Sequence, residues 1–196
     1  MHLWSRNTAH SGTPGPVPGP GTGQGFGAPT HAIRGWTETG SLIAFVRGWD
    51  RPSDILNRRE PVLVEDVRAF DPTTGSSPLS VGGTRYIDPF EFDLLLLADL
   101  PEPVAERSAA RRVHKVRYRV EAVGGEFRVL GVLHLFPGQA PEMVHHRLPA
   151  LFVPLTEPLV HWRGHRVSNP ARDVALINRH LIASIRQVDW VRLSDA

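Results

Sequence analysis

The sequence predicts a mainly β protein: two tandem small β-barrel-like units, each with a short helical turn, behind an extended N-terminal arm. Three observations carry this expectation. Short apolar runs of strand length recur between turn residues. The order strand, strand, helical turn, proline, strand and closing strand pair occurs twice, 88 residues apart. Gly and Pro make up 12 of the 20 residues from Ser11 to Thr30. The expected divisions are an arm over 1–30, a first unit over 31–101, a linker over 102–112 and a second unit over 113–196.

Each element follows from local chemistry. The arm holds runs such as Pro14-Gly15-Pro16-Val17-Pro18-Gly19-Pro20, which bury too little apolar surface to offset chain entropy and lack ladder donors, so it reads as extended or disordered. Trp4 and Phe26 stand toward its ends as candidate anchors on a partner. His31 to Thr39 and Ser41 to Trp49 form a hairpin broken at Gly40. Asp50 to Asn57 reads as a helical turn, with Asp50 as N-terminal acceptor, Pro52 in the first turn and Asn57 at the stop. Strands follow over Val62 to Phe70, Leu79 to Ile87 and Phe90 to Leu97. Glu102 to Arg112 places acids early and arginines late, the order a linker helix favours. In the second unit Gly124-Gly125 joins strands Val113 to Glu121 and Glu126 to Phe136, and Pro141 to His145 gives its helical turn.

The spacing of 88 pairs Pro61 with Pro149, Leu56 with Val144, Leu63 with Leu151 and Leu94 with Ile182 without a gap. Identities are few. The shared feature is apolar pattern plus punctuation, which suits two small, strongly bent units.

The closing pair Val174 to Ile185 turns at Asn178-Arg179-His180. It resembles the last motif of Sm-like proteins, in which a basic turn before an Ile-Ser strand contributes to RNA binding. That resemblance implies RNA contact for Arg179 and His180, and Asn178 of the same turn is a further candidate for partner or nucleic-acid binding. It covers about a dozen residues, and the first Sm motif with its Asn-Gly turn is missing here. Arg51 to Asn57 is similar to the Arg-x-Ser-Asp-x-Leu-Asn motif of small uncharacterised bacterial proteins, which also end in an Asn-Arg-x-x-Ile strand pair. That family implies a fold and no activity.

Composition narrows the function classes. The chain has 196 residues, no cysteine and a formal net charge of +2, so disulfides and thiolate chemistry are excluded and no strong field steers polyanions. Lys115 is the only lysine, and the arginine excess fits the codon bias of a GC-rich genome. No apolar run is longer than the five residues Leu94 to Ala98, far short of the roughly 20 that span a bilayer, and no secretion signal is recognisable. The expected compartment is the cytoplasm.

Period-two alternation places Lys115, Arg117 and Arg119 on one strand face, either a phosphate-binding row or a charged guard on an edge strand. Of the histidines, His145, His146, His161 and His165 are the best metal candidates. Glycine interrupts the latter pair and adjacency points the former pair apart, so no metal or other cofactor is expected. Gly19 to Gly27 alternates glycine without a preceding strand, which is not a phosphate loop. The expected function is a non-catalytic structural, scaffold or adaptor subunit with a protein partner or a second copy of itself. The alternative is an RNA or single-stranded nucleic-acid-binding protein of Sm-like type.

Overall fold

A computed structural model describes residues 28–71, 79–80, 82–98, 114–171 and 173–189. Trp4, the arm through residue 27 and the linker 102–112 lie outside the described residues, as does Phe26. The rest is mainly β and antiparallel. Strands β1 (Thr30–Thr37) and β2 (Gly40–Arg47) form the first hairpin, with the turn at Glu38-Thr39 and Gly40 already in β2. Helix α1 (Pro52–Leu56) leads to β3 (Val62–Phe70), β4 (Leu79–Ser80) and β5 (Thr84–Ile87). A 3-10 turn at Pro89–Glu91 precedes β6 (Leu94–Ala98). The chain continues with β7 (Val116–Gly124), β8 (Phe127–Leu135), a 3-10 turn at Pro141–Met143 running into α2 (Val144–Arg147), then β9 (Phe152–Trp162) and β10 (His165–Arg166). It closes with β11 (Asp173–Asn178), a 3-10 turn at Arg179–Leu181 and β12 (Ile182–Gln187).

The twelve strands among the described residues belong to one sheet, ordered β12-β7-β8-β9-β11-β6-β1-β2-β3-β4, with β5 also on β3 and β10 on β9. In each half the last strand pairs with the first: β6 with β1, and β12 with β7. The halves join where β6 pairs with β11, in the register Leu97↔Val174, Leu96↔Ala175, Leu95↔Leu176 and Leu94↔Ile177.

The pairing registers do not keep the single spacing of 88. The ladder irregularity at Ile43/Phe45 corresponds to that at Leu130/Val132, 87 residues on. Asp66 (φ 48°) and Glu157 (φ 53°) mark matching bends in β3 and β9, 91 residues apart. Asp88 and Asn178 cap the closing turns 90 residues apart. Loops of unequal length cause the drift. It makes Ser184, which faces Val123, the counterpart of Leu94, which faces Trp36; Ile182 is not that counterpart.

Two apolar cores flank the sheet. Leu94 and Leu96 enter one with Trp36, Leu133, Leu155, Ala175 and Ile177; Leu95 and Leu97 enter the other with Ile33, Phe92, Phe152 and Leu176. Side chains alternate across a strand, so β6 serves both cores, and all four of its leucines are 0% exposed. Close approach is needed at Gly35, where an added β-carbon would stand 2.3 Å from the Phe92 ring. Side-chain polar ties back the joint. Arg34 Nη2 binds Asp173 Oδ2 at 2.7 Å, Asn57 Oδ1 accepts from the Phe152 amide at 2.8 Å, and Asn178 Nδ2 donates to the Phe92 carbonyl at 3.0 Å. Asn57 ends α1 in a right-handed conformation with its side-chain amide donating to the Ser53 carbonyl at 2.8 Å, while the helix N-cap is Arg51, without a side-chain cap, and Asp50 pairs with Arg58 instead.

Because β6 belongs to both cores, Leu95→Ala and Leu96→Ala should each cost about 2–5 kcal/mol, although they face opposite sides. Urea unfolding should show one cooperative transition for the wild type and for both variants. Two separated transitions would contradict the shared strand.

Candidate functional site: the groove between the closing turns

The closing turns of the two halves meet beside the central joint. In the first, Asp88 Oδ1 accepts from the Phe90 amide at 2.9 Å; in the second, Asn178 Oδ1 accepts from the His180 amide at 3.1 Å. Short polar side chains at such positions satisfy amides that the turn leaves unpaired. The Asn178 amide also donates to the Asp93 carbonyl at 3.0 Å, so the second turn is pinned to the chain that leaves the first.

Between them runs a groove of about 660 Å³ whose walls include Arg85, Tyr86, Phe90, Asp93, His180 and Leu181. Tyr86 is 70% exposed, Phe90 48% and Leu181 42%. Tyr86 lies opposite Leu63, itself exposed, in the β3–β5 ladder. Burial pushes the Asp93 carboxyl up to about 6, helped by the negative charges of Glu126 and Glu38 and opposed by Arg163. Arg163 binds Glu126 at 2.6 Å and reaches the Glu38 carbonyl at 3.5 Å, tying three hairpin tips together near Asp93.

The expected binding residues separate into two places. Asn178 is 3% exposed at the wall of the groove, and its side chain binds backbone groups of Phe92 and His180. Arg179 also works internally, its guanidinium donating to the Leu148 carbonyl and its amide to the Leu151 carbonyl. His180 is exposed in the groove. Lys115, Arg117 and Arg119 lie at the start of β7, whereas Ile182, just after the turn, pairs with Gly124 at its end. At about 3.4 Å per residue the two groups stand roughly 15–30 Å apart along the strand. Glu157 binds Arg117 at 2.6 Å and approaches Arg119 at 3.7 Å, while Lys115 sits 5.5 Å from the centre of the Phe136 ring. The bend that gives Glu157 its positive φ brings this carboxylate to the cationic row.

His145 and His146 do not point apart: their ring centroids are 3.9 Å apart, and the proximity, with burial as the larger cause, lowers the His145 pKa. His161 and His165 occupy the β9–β10 hairpin, where they pair with Arg166 and Trp162. No group of three His, Asp or Glu residues that could hold a metal ion occurs among the described residues.

Sequence reasoning missed Arg85, Tyr86 and Asp93, and it missed Glu121. Glu121 is 2% exposed and is held by Arg128 at 2.5 Å and by Arg186. Burial alone would raise its pKa, but hydrogen bonds and charge from Arg128 and Arg186 hold it below the ordinary carboxylate value. No helix among the described residues is long and apolar enough to cross a membrane.

Asp93 has a folded pKa above its unfolded value of 3.8, so the folded state holds its proton more tightly. Its cost is absent below about pH 4 and develops as pH rises toward about 6. Asp93→Asn should therefore match the wild type in melting temperature near pH 4 and exceed it at pH 7.5; equal melting temperatures at both would show that Asp93 is solvated. Comparison with family models, with curated proteins and with solved structures finds no match for this chain.

Proposed function

We propose that this chain is a non-catalytic structural subunit of a larger protein assembly, acting in the cytoplasm, with a body of two tandem small β-barrel-like units. The observation that carries this reading is the β5 edge, which has a neighbour on one side only among the described residues and where Tyr86 and Leu63 stand together on the surface. Unpaired strands with exposed apolar side chains are templates for another strand, and single-chain proteins usually guard or cover them. The titratable groups with shifted pKa values support no reaction centre, since Asp93, Glu121, His134 and His145 are spread over separate elements.

A second reading, single-stranded nucleic-acid binding, draws on the groove, where Tyr86 and Phe90 offer stacking faces beside Arg85 and His180. It ranks second because Glu38, Glu91 and Asp93 line the same groove and would repel phosphates.

Size exclusion with light scattering on protein from its native source should show a stable complex well above the 21.7 kDa chain. A lone chain at that mass would overturn the assembly reading. A gel shift at low salt that vanishes as salt rises would move nucleic-acid binding to first place.

A further inference from the structure

We propose that the partner at the β5 edge is a second copy of this chain, whose β12 lies antiparallel against β5 in the register that β6 and β11 already use within one chain. This rests on the assembly reading and names its partner.

The joint inside the chain supplies the template. It sets the last strand of the first half, β6, against β11, the strand before the closing turn of the second half. That leaves one strand of each kind without a neighbour on one side among the described residues: β5, the counterpart of β11, and β12, the counterpart of β6. The correspondences come from the ladders. Tyr86 faces Leu63 as Leu176 faces Pro154, and Ser184 faces Val123 as Leu94 faces Trp36. Carrying the internal register across sets Gln187 against Thr84 of the next copy, Arg186 against its Arg85, Ile185 against its Tyr86 and Ser184 against its Ile87.

Exposure agrees with this placement. Leu176, covered by the internal joint, is 0% exposed, whereas its counterpart Tyr86 is 70% exposed. The difference is what an unfilled copy of the same joint would leave. Every chain carries one edge of each kind, so the contact is head to tail and propagates, closing into a ring or continuing as a filament according to the rotation per step.

The outer joint is weaker than the inner one. Ser184, Arg186 and Gln187 stand where β6 has Leu94, Leu96 and Leu97. Arg186 would also face Arg85 of the next copy, and like charges directly opposite across strands repel. Glu121 already shares its charge between Arg186 and Arg128. Salt screens that repulsion, so self-association should tighten with ionic strength, opposite to nucleic-acid binding.

Sedimentation velocity on the purified full chain tests this, with concentrations from about 1 to about 200 μM bracketing a micromolar joint. Salt set at about 0.05 M and about 0.5 M spans weak to strong screening. The wild type should grow by whole-chain increments, more so at high salt. Tyr86→Asp should remain a single chain throughout with an unchanged melting temperature, since Tyr86 is exposed in the lone chain. Arg85→Glu should tighten association at least tenfold at low salt by facing Arg186 with an opposite charge. Trp49→Ser, which removes a side chain 75% exposed but on neither edge, should behave as wild type. A wild type that stays single at the highest concentration, or a Tyr86→Asp variant that still associates, would overturn the proposal. If the purified chain is single while native material runs in a larger complex, the second copy is wrong and the assembly reading survives; single chains in both remove the two together.

Discussion

The β6–β11 ladder is the constraint on which the rest of the structure depends. Both strands lie in the interior of the sheet order and are covered on both faces, so their backbone groups find partners on both sides and their side chains fill two cores at once. Leu94 to Leu97 and Ala175 to Ile177 are all 0% exposed. Burying a leucine side chain contributes about 1.5–3 kcal/mol, and four in succession from one short strand concentrate much of the apolar stabilisation at a single seam. A strand covered on both faces reads as a continuous apolar run rather than an alternating one, which is why Leu94 to Ala98 is so uniform.

Polar ties surround this seam because backbone and charged groups at its margins still need partners. Asp173 is the clearest case. Its buried carboxylate takes Arg34 at 2.7 Å and the Asn169 amide at 2.6 Å, so its charge is paired and hydrogen-bonded as burial demands. Asn57 and Asn178 act in the same way from opposite halves, each giving a side-chain group to a backbone group of the other half. Glu121 has no such role at the seam; its two arginines come from β8 and β12 and stitch the far edge of the sheet.

Most strand positions, the short helical turns and the closing turn at Asn178 were legible because each depends on neighbours in the chain, whereas Phe90 and Glu91, expected in a strand, form a 3-10 turn before β6. The Asn178 turn is an example: a short polar side chain two residues before an amide closes it wherever it occurs. What Asn178 and Arg179 do was not legible. Their side-chain partners, the Phe92 and Leu148 carbonyls, lie 86 and 31 residues away; Phe92 comes close only when the halves dock, and Leu148 and Leu151 only when the strands and turns of the second half pack together. The row Lys115, Arg117 and Arg119 was visible as a pattern, but Glu157, 40 residues beyond Arg117, is what engages it. Arg85, Tyr86 and Asp93 escaped notice for the converse reason. Nothing in their local sequence distinguishes them, and their significance comes from an open edge and from acids on other hairpins.

The sequence by itself determined that the described chain would be short antiparallel strands punctuated by small turns, because apolar period, glycine, proline and Asx chemistry act over a few residues. The spacing of 88 read from apolar pattern differs from the 87, 90 and 91 residues that separate the ladder irregularities, the capped closing turns and the strand bends, since loop lengths leave no trace in apolar pattern. Only the tertiary structure decided that the halves share one sheet, that β6 serves two cores, and which strands have a neighbour on one side only among the described residues. Those outcomes depend on pairings between residues some 80 positions apart, and a strand able to pair on both sides does not encode which neighbour it will take.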